Sequence, residues 1–104
     1  MANVTIGATP THTFTVDTDL RDAVEIWVTY AQNKKVILNK TLTEDNLTVT
    51  EDTVVVTLSQ EDTLKFYPVN SVKIQIRARF GDGSAIKSDV INTTSDECLK
   101  RQVI

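Results

Sequence analysis

Apolar and polar residues alternate with a period of two along most of this chain, which is the spacing of half-buried strands and not of helices. After an irregular start marked by Gly7 and Pro10, the run His12-Thr13-Phe14-Thr15-Val16 predicts a first strand. Asp17-Thr18-Asp19 ends it with turn-forming side chains. Residues 23–32 predict a long strand, with Val24, Ile26, Val28 and Tyr30 on one face and Glu25, Trp27, Thr29 and Ala31 on the other. Trp27 on that second face predicts cover on both sides of the strand. Asn33-Lys34 is a two-residue hairpin turn leading into a strand at 35–42, and the polar stretch 43–46 ends the hairpin. A short strand over 47–50 precedes a stronger one over 53–58, with Val54, Val56 and Leu58 in phase.

The pattern then changes. Ser59 followed by Gln60-Glu61-Asp62 predicts a helix start, with a capping hydroxyl and acidic groups in the first turn. Leu64 and Phe66 close that single turn over the end of the core before Pro68 stops it. Val72, Ile74, Ile76, Ala78 and Phe80 alternate with Lys73, Gln75, Arg77 and Arg79, and the chain returns over 85–93 after Gly81-Asp82-Gly83-Ser84. Placing Ile86, Ser88 and Val90 on the face of Phe80, Ala78 and Ile76 requires an odd-numbered loop or a bulge. The same reading sets Arg77 opposite Asp89, a favourable cross-strand pair.

These elements predict an all-β fold: an immunoglobulin-like or fibronectin type III-like Greek-key β-sandwich of about seven strands, with one helical turn near 60–65. A barrel is the alternative architecture. Trp27 falls on the strand that often carries a core tryptophan in such sandwiches. The 104 residues make one domain, 1–104, with 1–8 and 100–104 expected to be loosely ordered. Thr, Val and Ile supply roughly a third of the chain, and branching at Cβ favours the pleated backbone.

Charge and cysteine narrow the classes of function. The formal charge is -3, and the basic residues are dispersed, which argues against nucleic acid as the main partner. The acidic pairs Glu44-Asp45, Glu51-Asp52 and Glu61-Asp62 read as solvated turns. With one cysteine, Cys98, no internal disulfide can form. The start, Met1-Ala2-Asn3-Val4-Thr5, lacks a signal-peptide pattern, and no apolar run is long enough to cross a bilayer. Synthesis in the cytoplasm, without a membrane partner, is the expectation.

Candidate chemistry is sparse. His12, the single histidine, cannot build a multi-histidine metal site or a catalytic set alone. Cys98 follows Asp96-Glu97, and acids beside a thiol disfavour the thiolate, so it reads as a small apolar residue packing the tail. Asp17, Asp19 and Asp22 lack the glycine and distal glutamate of a calcium loop. The chain is therefore expected to be non-enzymatic, with no cofactor and no metal. Lys73, Arg77, Arg79 and Lys87 form a modest basic stripe, read as a solvated strand face that also discourages edge pairing. Trp27, Tyr30 and Tyr67 would make a sugar-stacking platform if they were exposed together.

The most distinctive segment is Leu58-Ser59-Gln60-Glu61-Asp62-Thr63-Leu64-Lys65-Phe66-Tyr67-Pro68. Together with Val72-Lys73-Ile74-Gln75-Ile76-Arg77, Asp82-Gly83 and Ser88-Asp89-Val90-Ile91, it resembles small proteins encoded among particle-assembly genes of Firmicutes phages and prophages. The resemblance runs from about Thr9 to Cys98-Leu99 and rests on strand and turn residues. It implies a gut-type Firmicute source and a virion-associated or assembly role, and it carries over no activity and no functional residue. Two roles follow as expectations. One is a structural or assembly protein that contacts other particle proteins or itself, in the virion or during its assembly. The other is a stand-alone binding module for a cell-wall glycan or another surface polymer. Docking is expected through the hairpin of residues 27–40, with Trp27, Tyr30 and Lys40, or through the loop that holds Asp82 and Gly83.

Overall fold

The computed structural model describes residues 4–42 and 47–104. Among these residues, eight strands form two antiparallel sheets: β1 (Thr11–Thr15), β2 (Ala23–Gln32), β3 (Lys35–Thr41), β4 (Leu47–Thr50), β5 (Thr53–Thr57), β6 (Ser71–Phe80), β7 (Ala85–Lys87) and β8 (Ile91–Thr94). One helical turn, α1 (Gln60–Thr63), sits between β5 and β6. The smaller sheet has the order β1-β5-β4, and the larger runs β3-β2-β6 with both β7 and β8 on the far side of β6. The polar stretch 43–46, with Glu44 and Asp45, and residues 1–3 lie outside the described residues.

The period-two pattern decides what goes inside. Ile26, Val28 and Tyr30 of β2 and Val72, Ile74, Ile76 and Ala78 of β6 share one core with Phe14 of β1 and Val54 and Val56 of β5. Full burial of one such side chain contributes about 1.5–3 kcal/mol. Phe66, just after α1, closes the end of this core, its ring edge-on to that of Tyr30 at 5.8 Å. The turn is capped as expected: Ser59 Oγ accepts from the Asp62 N–H, and the Asp62 carboxylate accepts from the Ser59 N–H.

The turns after β2 and β6 follow their sequence signals. Asn33 and Lys34 both have positive φ, 52° and 64°, as the two-residue turn requires. Between β6 and β7, Phe80 N–H donates to the Ser84 carbonyl across the three-residue loop Gly81-Asp82-Gly83. Gly83, at φ 91°, absorbs the left-handed step of that odd-numbered loop.

Three expectations are corrected. Val24 is not on the inner face: the pairing shifts between Ala23 and Glu25, and the bulged Val24 is half exposed. Arg77 stands opposite Lys87, not Asp89, because the three-residue loop pairs Ala78 with Ile86. Val90 is half exposed, because pairing slips by one residue between β7 and β8 and brings Ile91 opposite Ile74. Ser88 makes the slip. Its Oγ accepts the Ile76 N–H in place of its own carbonyl, which accepts instead from the Gln75 amide.

The terminal segments are tied to this body. Val4 bridges to Ser95, and both Val4 and Ile6 are buried in the core. Gly7 has φ 86°, and a Cβ there would stand 2.7 Å from Cys98 Sγ, so only glycine lets the two segments touch. Over residues 100–104, Arg101 donates to the Leu64 and Phe66 carbonyls, at 2.8 and 2.9 Å. Ile104 N–H donates to Gln60 Oε1 at 2.8 Å.

Candidate functional site

Strand β2 sorts its two candidate aromatics to opposite sides. Tyr30 is fully buried, and its hydroxyl lies 2.8 Å from His12 Nδ1, also buried. Burial pushes the Tyr30 phenol well above its ordinary range, and the charge of nearby Asp62 adds to this. Lys40 also points inward. Its Nζ lies 2.6 Å from Asp62 Oδ2, both side chains being almost completely covered. Burial by itself would raise the Asp62 carboxyl, but the Lys40 ammonium and the Ser59 N–H outweigh it and hold Asp62 below the usual carboxylate value. Among the described residues, every buried side-chain nitrogen and oxygen has a hydrogen-bond partner. Tyr30, Lys40 and His12 are therefore held inside the fold, and the first two do not lie on the docking surface where the sequence placed them.

Trp27 is the opposite case. It was expected under cover, but it lies on the outer face of the larger sheet and is 39% exposed. The reason is phase: three residues from Tyr30 on a period-two strand, it must face the other way. Its Nε1–H donates to Glu25 Oε1 at 2.6 Å, and Arg79 donates to Glu25 Oε2 at 3.1 Å. Those two hydrogen bonds, Trp27 first, hold the Glu25 carboxyl below its ordinary value. Directly across the ladder from Trp27 stands Arg77, and directly across from Arg77 stands Lys87. On the other flank, Thr29 donates to Asn39 Oδ1 at 2.7 Å. Trp27, Glu25, Thr29, Asn39, Arg77 and Arg79 line a shallow groove of about 390 Å³. A second opening of about 480 Å³ lies between the end of β1 and the Ser88 break, walled by Ile76, Ile86 and Ile91.

The remaining candidates scatter. Asp82 and Gly83 are exposed at the tip of the β6–β7 hairpin. The Asp82 carboxylate is engaged by its own turn, accepting from the Ser84 hydroxyl and N–H, which hold it below its ordinary value. Tyr67 is half exposed, but its carbonyl is bonded to Gln32, five residues along β2 from Trp27. Five residues of strand span about 16 Å between Trp27 and Gln32, where Tyr67 is anchored. With Tyr30 buried, the three aromatics do not form one stacking platform. Cys98 packs against the core at Gly7 and donates to the Lys100 carbonyl.

The sequence pattern contained Lys73, Arg77, Arg79 and Lys87 as a row. It did not show that Trp27 and Glu25 stand among them, because that juxtaposition depends on the register between β2 and β6. An exposed indole flanked by guanidinium groups is the composition of a protein-contact hot spot, and guanidinium binds carboxylates in a forked, two-bond geometry. Among the described residues, no group of three or more His, Cys, Asp or Glu side chains could hold a metal ion, and no helix is long and apolar enough to cross a membrane. No protein-family model matches the chain, and neither a curated protein nor a solved structure matches it.

Proposed function

We propose that this chain is a non-enzymatic structural or assembly protein of a phage or prophage particle, acting through protein–protein contacts made by the outer face around Trp27. The observation that carries the reading is the exposed Trp27 held between Glu25 and Arg77 on an open sheet face. Tryptophan and arginine supply a disproportionate share of protein-contact energy, and a many-copy particle multiplies weak contacts through avidity. The resemblance of residues 58–68 and 72–77 to particle-assembly proteins supports the same role.

The reading includes an immunoglobulin-like Greek-key sandwich. Support comes from the strand orders β1-β5-β4 and β3-β2-β6-β7/β8, from the crossings between sheets at β1–β2, β3–β4 and β5–β6, and from the parallel bridge of Val4 to Ser95. Such sandwiches host many unrelated roles, so the fold adds no weight to the function. Glycan binding is the weaker reading, since among the three aromatics it invoked only Trp27 stands in the groove.

The test is to induce particles from cells that carry this chain, purify them and measure the chain by mass spectrometry. Stoichiometric presence is the expected result, and its copy number identifies the ring or shell it occupies. Abundance in the lysate with absence from both particles and assembly intermediates overturns the reading.

A further inference from the structure

The outer face of the larger sheet carries an electrostatic cost that the fold does not need. Arg77 and Lys87 stand directly opposite each other on adjacent strands, so their charges repel. Lys73 projects from the same face of β6. Among the described residues, Arg79 is the only one of these four cations with an ion-pair partner, Glu25. Four cations against one carboxylate thus gather on one face of a chain whose formal charge is -3. Everything outside this face is acidic on balance. Beside the unpaired cations lies the partly exposed indole of Trp27, the one aromatic surface in the groove.

We propose that this face binds an acidic protein segment, which sets its carboxylates between Arg77 and Lys87 and lays an apolar side chain on Trp27. The proposal rests on the protein-contact reading above and names the chemistry of the partner. Incoming carboxylates relieve the Arg77–Lys87 repulsion, so the complex recovers what the free fold gives up. A short acidic segment fits better than a nucleic acid. A polynucleotide extends beyond the face onto a surface of its own sign, and Glu25 sits against the indole edge, where a backbone phosphate would be repelled.

Trp27 is the only tryptophan in the chain, so its fluorescence reports this face alone. The full chain is titrated with a soluble peptide of Glu-Glu-Leu repeats at about 20 mM salt, where surface charges are weakly screened. The expected result is a saturable shift of Trp27 emission, absent with a Lys-Lys-Leu peptide. Binding should weaken about tenfold in Lys87→Glu and in Arg77→Ala, and again when salt is raised to about 0.15 M. Both substitutions are on the solvent face, and circular dichroism checks that each variant is folded. No saturable shift with the acidic peptide, or a shift that survives both substitutions, overturns the proposal. Tighter binding of oligothymidylate than of the peptide overturns it in favour of nucleic acid. Self-association of the chain at the same salt, lost in Lys87→Glu, overturns it in favour of a second copy. The particle measurement is independent: a chain found in particles but blind to the acidic peptide refutes only this inference, and the converse refutes only the assembly role.

Discussion

Tyr30 and Trp27 lie three residues apart on β2, and the two faces they mark are built on opposite terms. On the inner face each charge and hydroxyl has a local answer: Tyr30 with His12, and Lys40 with Asp62. On the outer face Trp27 is left partly exposed, and Arg77 is set against a like charge. Burying a polar group without a partner costs far more than exposing one, so the inner arrangement is what folding requires. The outer arrangement is not required by folding. A strand can therefore place stability on one face and recognition on the other, and the size of a mutation's effect on stability tells them apart.

The largest effect tests that division directly. Tyr30→Ala should cost about 3–5 kcal/mol in urea unfolding, as for other buried aromatics, whereas Trp27→Ala should cost under about 1 kcal/mol. Equal costs would break the comparison. Asp62→Ala comes next, at about 3 kcal/mol, because it removes the carboxylate that Lys40 meets and one half of the α1 cap.

The same residue sets a pH dependence. The Asp62 pKa is lower in the folded chain than its ordinary value, so the carboxylate's contribution is complete above the unfolded value of about 3.9 and fades as pH falls through the folded one. The stability gap between the parent and Asp62→Ala should shrink below about pH 4. A gap constant down to pH 2 would contradict the pairing.

Two smaller changes sharpen the contrast. Lys34 holds a left-handed backbone at the hairpin shared by both faces, and Lys34→Gly should add about 1 kcal/mol without altering acidic-peptide binding. Lys87→Glu converts the repulsive pair opposite Arg77 into an attractive one. It should add about 0.5 kcal/mol while weakening that binding, a gain in stability coupled to a loss of recognition. Both are read from denaturant midpoints with the peptide titration run alongside.

Much of the fold was legible because its signals are local. The alternation of Val72, Ile74, Ile76 and Ala78, the turn at Asn33-Lys34, the Ser59 cap and the odd-numbered loop at Gly81-Asp82-Gly83 each lie within a few residues of what they determine. The failures are non-local or depend on a single inserted residue. Alternation shows which residues share a face but not which face is covered, so Trp27 was assigned to the wrong environment. The bulge at Val24 throws that one side chain out of phase, the slip at Ser88 displaces the side chains after it by one position, and nothing in the apolar pattern marks either. Lys40 was read as a surface charge because its partner, Asp62, lies 22 residues away in sequence. Of the candidate site, the basic row was visible, but its arrangement around Trp27 required the β2–β6 register.

The measurement that tests the central claim most directly replaces the chain in its own cells with Trp27→Ala or Lys87→Glu and counts the copies in purified particles. The account predicts that both variants stay folded and are lost from particles, Trp27→Ala melting close to the parent and Lys87→Glu slightly above it. Particles carrying either variant at the parental copy number would contradict the assignment of the outer face as the contact surface.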